Sequence, residues 1–104
     1  MTHEAFIALL ENRIASIRST LAAKAKEYAR DDRLHNFKMA ALMSRCSVPD
    51  AIWGMLAKHL VSVVDMVQEC CSDTARIEEK IGDSINYLIL LEAVLKETPE
   101  EAKR

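Results

Sequence analysis

Turn-formers and aromatics are scarce in this chain of 104 residues: it has two Gly, two Pro and only 5% aromatic side chains. So few breakers exclude the many tight turns that a β-sandwich or barrel requires, and long helices are the expectation. No apolar run approaches the roughly 20 residues that span a bilayer, and Met1–Arg18 does not read as a secretory leader. A dominant charge of one sign is missing as well. The formal net charge of −2 argues against bulk electrostatic binding of nucleic acid. Half of the residues are hydrophobic and 29% charged, a balance suited to one all-α domain over residues 1–104.

The three cysteines, Cys46, Cys70 and Cys71, include an adjacent pair. An odd set with vicinal members is a poor disulfide framework, and no CxxC or HxxxH spacing offers a metal site. Reduced thiols in a cytoplasm are the reading, with Cys70 packing as a small hydrophobe. Residues 1–45 carry eight positive and five negative side chains, whereas residues 46–104 carry six and eleven. That asymmetry favours association of the two halves or of protomers, although exposed pairs add little. Catalysis by an activated serine has no support, because no nucleophile elbow is present, and there is no Gly-rich phosphate loop.

Hydrophobic spacing divides the chain into four helices. Thr2 to about Arg30 reads as one long helix with Ile7, Leu10, Ile14, Ile17, Leu21 and Tyr28 on one seam, interrupted by Lys24. At about 1.5 Å per residue it outreaches a compact domain of this size, so an oligomer contact is expected. Asp31-Asp32 offers a cap for a short helix over Arg33–Arg45, with Leu34, Phe37, Ala40 and Ala41 on one side. Ser47-Val48-Pro49-Asp50 is a strong start signal: a capping hydroxyl, proline in the first turn, and an acid at the positive end of the dipole. The third helix then runs from Val48 to about Cys71, with Ile52, Leu56, Leu60, Val63, Val67 and Cys70 as its core arc. Ser72-Asp73-Thr74 opens the fourth, which reaches about Glu97 and buries Ile77, Ile81, Ile85, Leu88 and Leu95. Thr98-Pro99 stops it, and residues 100–104 form a tail. Trp53, Phe37 and the methionines read as packing residues, and His59 as a half-buried histidine at the edge of the apolar arc.

A polar row remains on each of the last two helices. Lys58, Ser62, Asp65 and Glu69 share a wedge of about 60° on the third. Glu79, Asp83, Asn86 and Tyr87 cluster on the fourth, with Arg76 and Lys80 at the margin. In an antiparallel hairpin turning between residues 72 and 73, Glu69 would face Arg76, Asp65 would face Lys80, and Ser62 would face Asp83 with Lys58 one turn away. These are either surface ion pairs worth about 0–1 kcal/mol each or the walls of a groove. In a groove, Asp83 and Glu79 suit a hard divalent cation and Lys58 a phosphate. Asn86 suits a base or ribose, and Tyr87 stacking. His35, Asn36 and Phe37 on the short helix would close it.

The stretch Glu78-Glu79-Lys80-Ile81-Gly82-Asp83-Ser84-Ile85-Asn86-Tyr87-Leu88 resembles the second conserved helix of MazG-like all-α nucleoside triphosphate pyrophosphohydrolases. The order Arg33-Leu34-His35-Asn36-Phe37, then Lys58-His59 with Asp65, then Lys80, Asp83 and Asn86-Tyr87 is similar to small bacteriophage or prophage proteins. Those proteins lie near that superfamily and near phage nucleotide-modification-associated domains. The resemblance spans about residues 27–97. It implies an all-α nucleotide site at an oligomer interface in a bacterial cytoplasm, with carboxylates holding Mg2+ against a phosphate linkage. Asp83, Glu79 and Asp65 are the carried-over metal candidates. The family's ExxE is here Ser62-Val63-Val64-Asp65, and Lys80 stands three residues before Asp83. A nucleotide-binding protein without efficient hydrolysis is therefore the first expectation, acting in nucleotide metabolism or sequestering a nucleotide, including an immune signal. A Mg2+-dependent pyrophosphohydrolase and a helical protein–protein interaction module are the alternatives.

Overall fold

The computed structural model of the chain describes residues 1–25 and 32–97, with side chains on the first helix up to residue 22. Among these residues all regular structure is helical, and no helix is long and apolar enough to cross a membrane. The chain divides into two compact units, Met1–Asp31 and Asp32–Arg104.

In the first unit α1 covers His3–Ala25, and Thr2 caps it: its Oγ1 accepts the amide of Ala5 at 3.0 Å. Ile7, Leu10 and Ile14 of the expected seam are exposed, while Ile17 and Leu21 are half-buried. Lys24, Tyr28 and the expected end at Arg30 lie outside the described side chains, as do Asp31, Thr98-Pro99 and the 100–104 tail.

The second unit contains α2 (His35–Ser44), α3 (Val48–Gln68) and α4 (Thr74–Glu97). The central helix α3 packs against both others. α2 begins two residues later than expected because Asp32 builds a turn before it. Its Oδ1 accepts the Leu34 amide at 3.0 Å and its carbonyl accepts the His35 amide at 3.2 Å. At α3 the expected cap is present, Ser47 Oγ accepting the Asp50 amide at 3.1 Å with Pro49 in the first turn. Asp73 performs the same task for α4 through the amide of Arg76.

Both α2 and α3 end in a left-handed residue that is not glycine: Arg45 at φ 54° and Cys70 at φ 52°. The amides of Cys70 and Cys71 return to the carbonyls of Val67 and Met66, and those of Arg45 and Cys46 to Leu42 and Ala41. This double closure satisfies carbonyls that a helix end would leave unpaired. It also stops α3 at Gln68, three residues short of the expected end. Cys70 is consequently exposed, not packed.

The core joins Leu34 and Phe37 of the α2 segment to Ile52 of α3 and Val94 of α4, with Val48, Met55, Tyr87, Leu90 and Leu91 packed around them. Ile52 and Leu56, both expected in the core, are fully buried. Two other expectations are corrected. On α3 the buried arc continues through Met66, and Val67 is 73% exposed. On α4 the helix turns Tyr87, Leu90, Leu91 and Val94 inward, while Leu88 and Leu95 face out and Ile77, Ile81 and Ile85 are half-buried. The cause is that α4 is apolar on two sides, so spacing alone does not select the buried one. Trp53 is likewise exposed at 54%, and Met39 and Met43 lie on the surface.

Candidate functional site

α3 and α4 are antiparallel and joined by residues 69–73, so the expected rows can be placed against each other directly. At the turn the pairing is as expected: Arg76 Nη1 donates to Glu69 Oε2 at 2.9 Å, and it also reaches Cys71 Sγ at 3.8 Å. One turn further the arrangement departs from expectation. Lys80 lies 3.4 Å from its neighbour Glu79, and Asp65 is exposed.

The residue opposite Asp83 is His59, not Lys58 or Ser62. His59 Nδ1 stands 3.6 Å from Asp83 Oδ2. Neighbouring residues point about 100° apart on a helix, so α3 cannot aim Lys58 and His59 at the same partner. Because Ile52 and Leu56 face the interior, the wedge of Lys58 and Asp65 is carried outward, with Ser62 half-buried between them. Lys58 is exposed and forms no ion pair among the described residues. Sequence reasoning underrated His59; its position one turn after Leu56 on the buried arc was the available signal.

Around this pair the side chains form a layered set. The His59 ring stacks on Tyr87, centroids 4.8 Å apart and planes inclined by 26°. Phe37 meets Tyr87 edge-on at 6.4 Å and 71°. Aromatic pairs in these offset and edge arrangements are favourable by about 0.5–1.5 kcal/mol beyond the area they bury. Phe37 also ties in the first turn of α2, where His35 is half-buried and Asn36 exposed. Next to Tyr87, Asn86 is half-buried and its Oδ1 is enclosed without a hydrogen-bond donor. An acceptor buried in that state costs roughly 1–3 kcal/mol. The structure therefore brings His59, Asp83, Tyr87 and Phe37 together, with Asn86 adjoining Tyr87 in sequence, and leaves Lys58 and Asp65 outside the set.

The carboxylates do not fit a magnesium cage. Glu79 is exposed beside Lys80, Asp65 projects to solvent, and Asp83 faces an imidazole. Among the described residues no group of three or more His, Cys, Asp or Glu side chains stands close enough to hold an ion. Oxygen-rich octahedral coordination needs more than Asp83 supplies.

The other polar cluster closes the far end of the same unit. Lys38 Nζ donates to Asp32 Oδ2 at 2.7 Å and to Glu97 Oε1, linking the start of α2 to the end of α4. The hydrogen bond from Lys38 holds the Asp32 carboxyl below its usual range, and Asp32 and Glu97 hold the Lys38 ammonium above its own. No family model, curated protein or solved structure matches this chain.

Proposed function

We propose that the protein binds a nucleotide or nucleotide-derived small molecule at the α3–α4 surface around His59, Asp83, Asn86 and Tyr87, without efficient hydrolysis. Asn86 carries this reading: its Oδ1 is enclosed and lacks a donor, and it adjoins Tyr87, whose ring stacks on the His59 ring opposite Asp83. Nucleobases and ribose bring N–H and O–H donors, and an amide aimed from a helix reads them in a fixed direction. The His59 imidazole offers an N–H donor to a phosphate oxygen, and Asp83 accepts from a sugar hydroxyl or ring N–H. The resemblance to phage-type nucleotide proteins in a bacterial cytoplasm agrees with this ligand class. The carboxylate arrangement supplies no metal-activated water, so sequestration or recognition is favoured over cleavage.

Calorimetry and thermal shift against mononucleotides, dinucleotides and cyclic nucleotides test the reading. Binding weakened at least tenfold by both Asp83→Ala and Asn86→Ala supports it. Absence of binding at millimolar ligand rejects it. Pyrophosphate release abolished by Asp83→Ala would instead establish the hydrolase alternative.

A further inference from the structure

Helix α1 carries Ile7, Leu10, Ile14, Ile17 and Leu21 at alternating steps of three and four residues. They lie within an arc of roughly 80° and make about three heptads of a coiled-coil seam. Ile7, Leu10 and Ile14 are exposed, and Ile17 and Leu21 are half-buried. Most of a helix's stability in water comes from covering such a stripe. The residues beside the seam identify what covers it. Glu11 and Arg18 share one flank, roughly 60–80° from the seam's centre, and Arg13 and Thr20 stand on the other at roughly 80–100°. Side chains at these positions meet a neighbouring helix across a coiled coil. Glu11 and Arg18 are exposed, and neither forms an ion pair among the described residues.

We infer that a second copy of this chain covers the α1 seam, its own α1 running antiparallel about a twofold axis level with the Ala15–Ser16 peptide. Leu10 then meets Leu21 of the second copy, Ile14 meets Ile17 of the second copy, and the axis repeats both contacts. Glu11 comes beside Arg18 of the second copy, twice, on the flank that both share. On the other flank Arg13 faces Thr20 of the second copy, so no like charges meet. Other arrangements of the same seam lack this match. Slipped by one heptad toward either end, the antiparallel pair sets Glu11 or Arg18 against its own counterpart. A parallel pair sets Arg13 against Arg18 of the second copy, twice, and brings no opposite charges together. Exposed ion pairs add little energy each, so the seam supplies the affinity while the flanks choose the partner and its direction.

Sedimentation equilibrium of the full chain from micromolar to millimolar concentration tests the inference. The expected mass at the upper end is twice 11.7 kDa. Ile14→Lys puts a charge into a central layer twice over and should weaken the dimer about a hundredfold or more. Arg18→Glu decides the direction. Facing Glu11, it should weaken the antiparallel dimer severalfold, whereas in a parallel dimer it would relieve Arg13 and strengthen association. Combining it with Glu11→Arg should restore the parent affinity. A monomer at every concentration, a dimer indifferent to Ile14→Lys, or a dimer that Arg18→Glu strengthens overturns the inference. Failure of the double exchange to restore association overturns the register. None of these readouts depends on nucleotide binding.

Discussion

Helix α3 carries two apolar stripes of similar composition, and the fold treats them in opposite ways. Ile52 and Leu56 are completely buried, whereas Trp53 and Val64, one and eight residues further on from Ile52 and Leu56 respectively, are more than half exposed. Hydrophobicity does not separate them. What separates them is the angle at which α2 and α4 approach. α4 shows the same division, with Val94 buried and Leu88 in the open. A helix apolar on two sides needs two neighbours, and within this unit each of these helices finds cover on one side only.

The sharpest way to break the comparison is truncation. Ile52→Ala or Leu56→Ala should cost about 2–5 kcal/mol in urea unfolding, because a filled interior site becomes a cavity. Val64→Ala, measured at a concentration where the chain is monomeric, should cost under about 0.5 kcal/mol. Equal costs would show that both stripes are buried in solution. Next in size is Asn86→Leu, which replaces an undonated acceptor by an apolar group of similar volume. It should stabilise the fold by about 1 kcal/mol while abolishing the nucleotide response. If stability falls instead, Asn86 is satisfied in solution and the binding proposal loses its main support.

Of similar size is Cys70→Gly. A left-handed residue with a Cβ is strained, so glycine should add about 1 kcal/mol by thermal or chemical unfolding. The smallest effect belongs to the surface lock formed by Lys38. Since Asp32 has a depressed pKa, its contribution is present above the ordinary value of 3.8 and is lost as pH falls through the lower folded value. The elevated Lys38 contributes below 10.5, and that contribution is lost as pH rises through its higher folded value. Lys38→Met should flatten both limbs of the stability–pH profile. Unchanged limbs would show that the lock does not form in solution.

The helices themselves were legible because their signals are local. The Ser47-Val48-Pro49-Asp50 start and the Asp73 cap act within one turn of chain. The Glu69–Arg76 pair was also legible, since it sits where the hairpin turn leaves little freedom. Farther from the turn, facing residues depend on the rotation of each helix about its axis. That is why Asp83 was expected near Ser62 and Lys58 and is found with His59. The closure of α3 was missed because Cys70 carries no glycine signal for its left-handed backbone.

Residue order alone determined an all-α chain, the N-terminal caps of its last two helices and the existence of amphipathic stripes, because helix formation and N-capping are decided within a few residues. Only the tertiary structure decided which stripe is buried and which polar side chain meets Asp83. Those outcomes depend on helix rotation and approach, which are set by the joint packing of three helices and leave no mark in the spacing of any one of them.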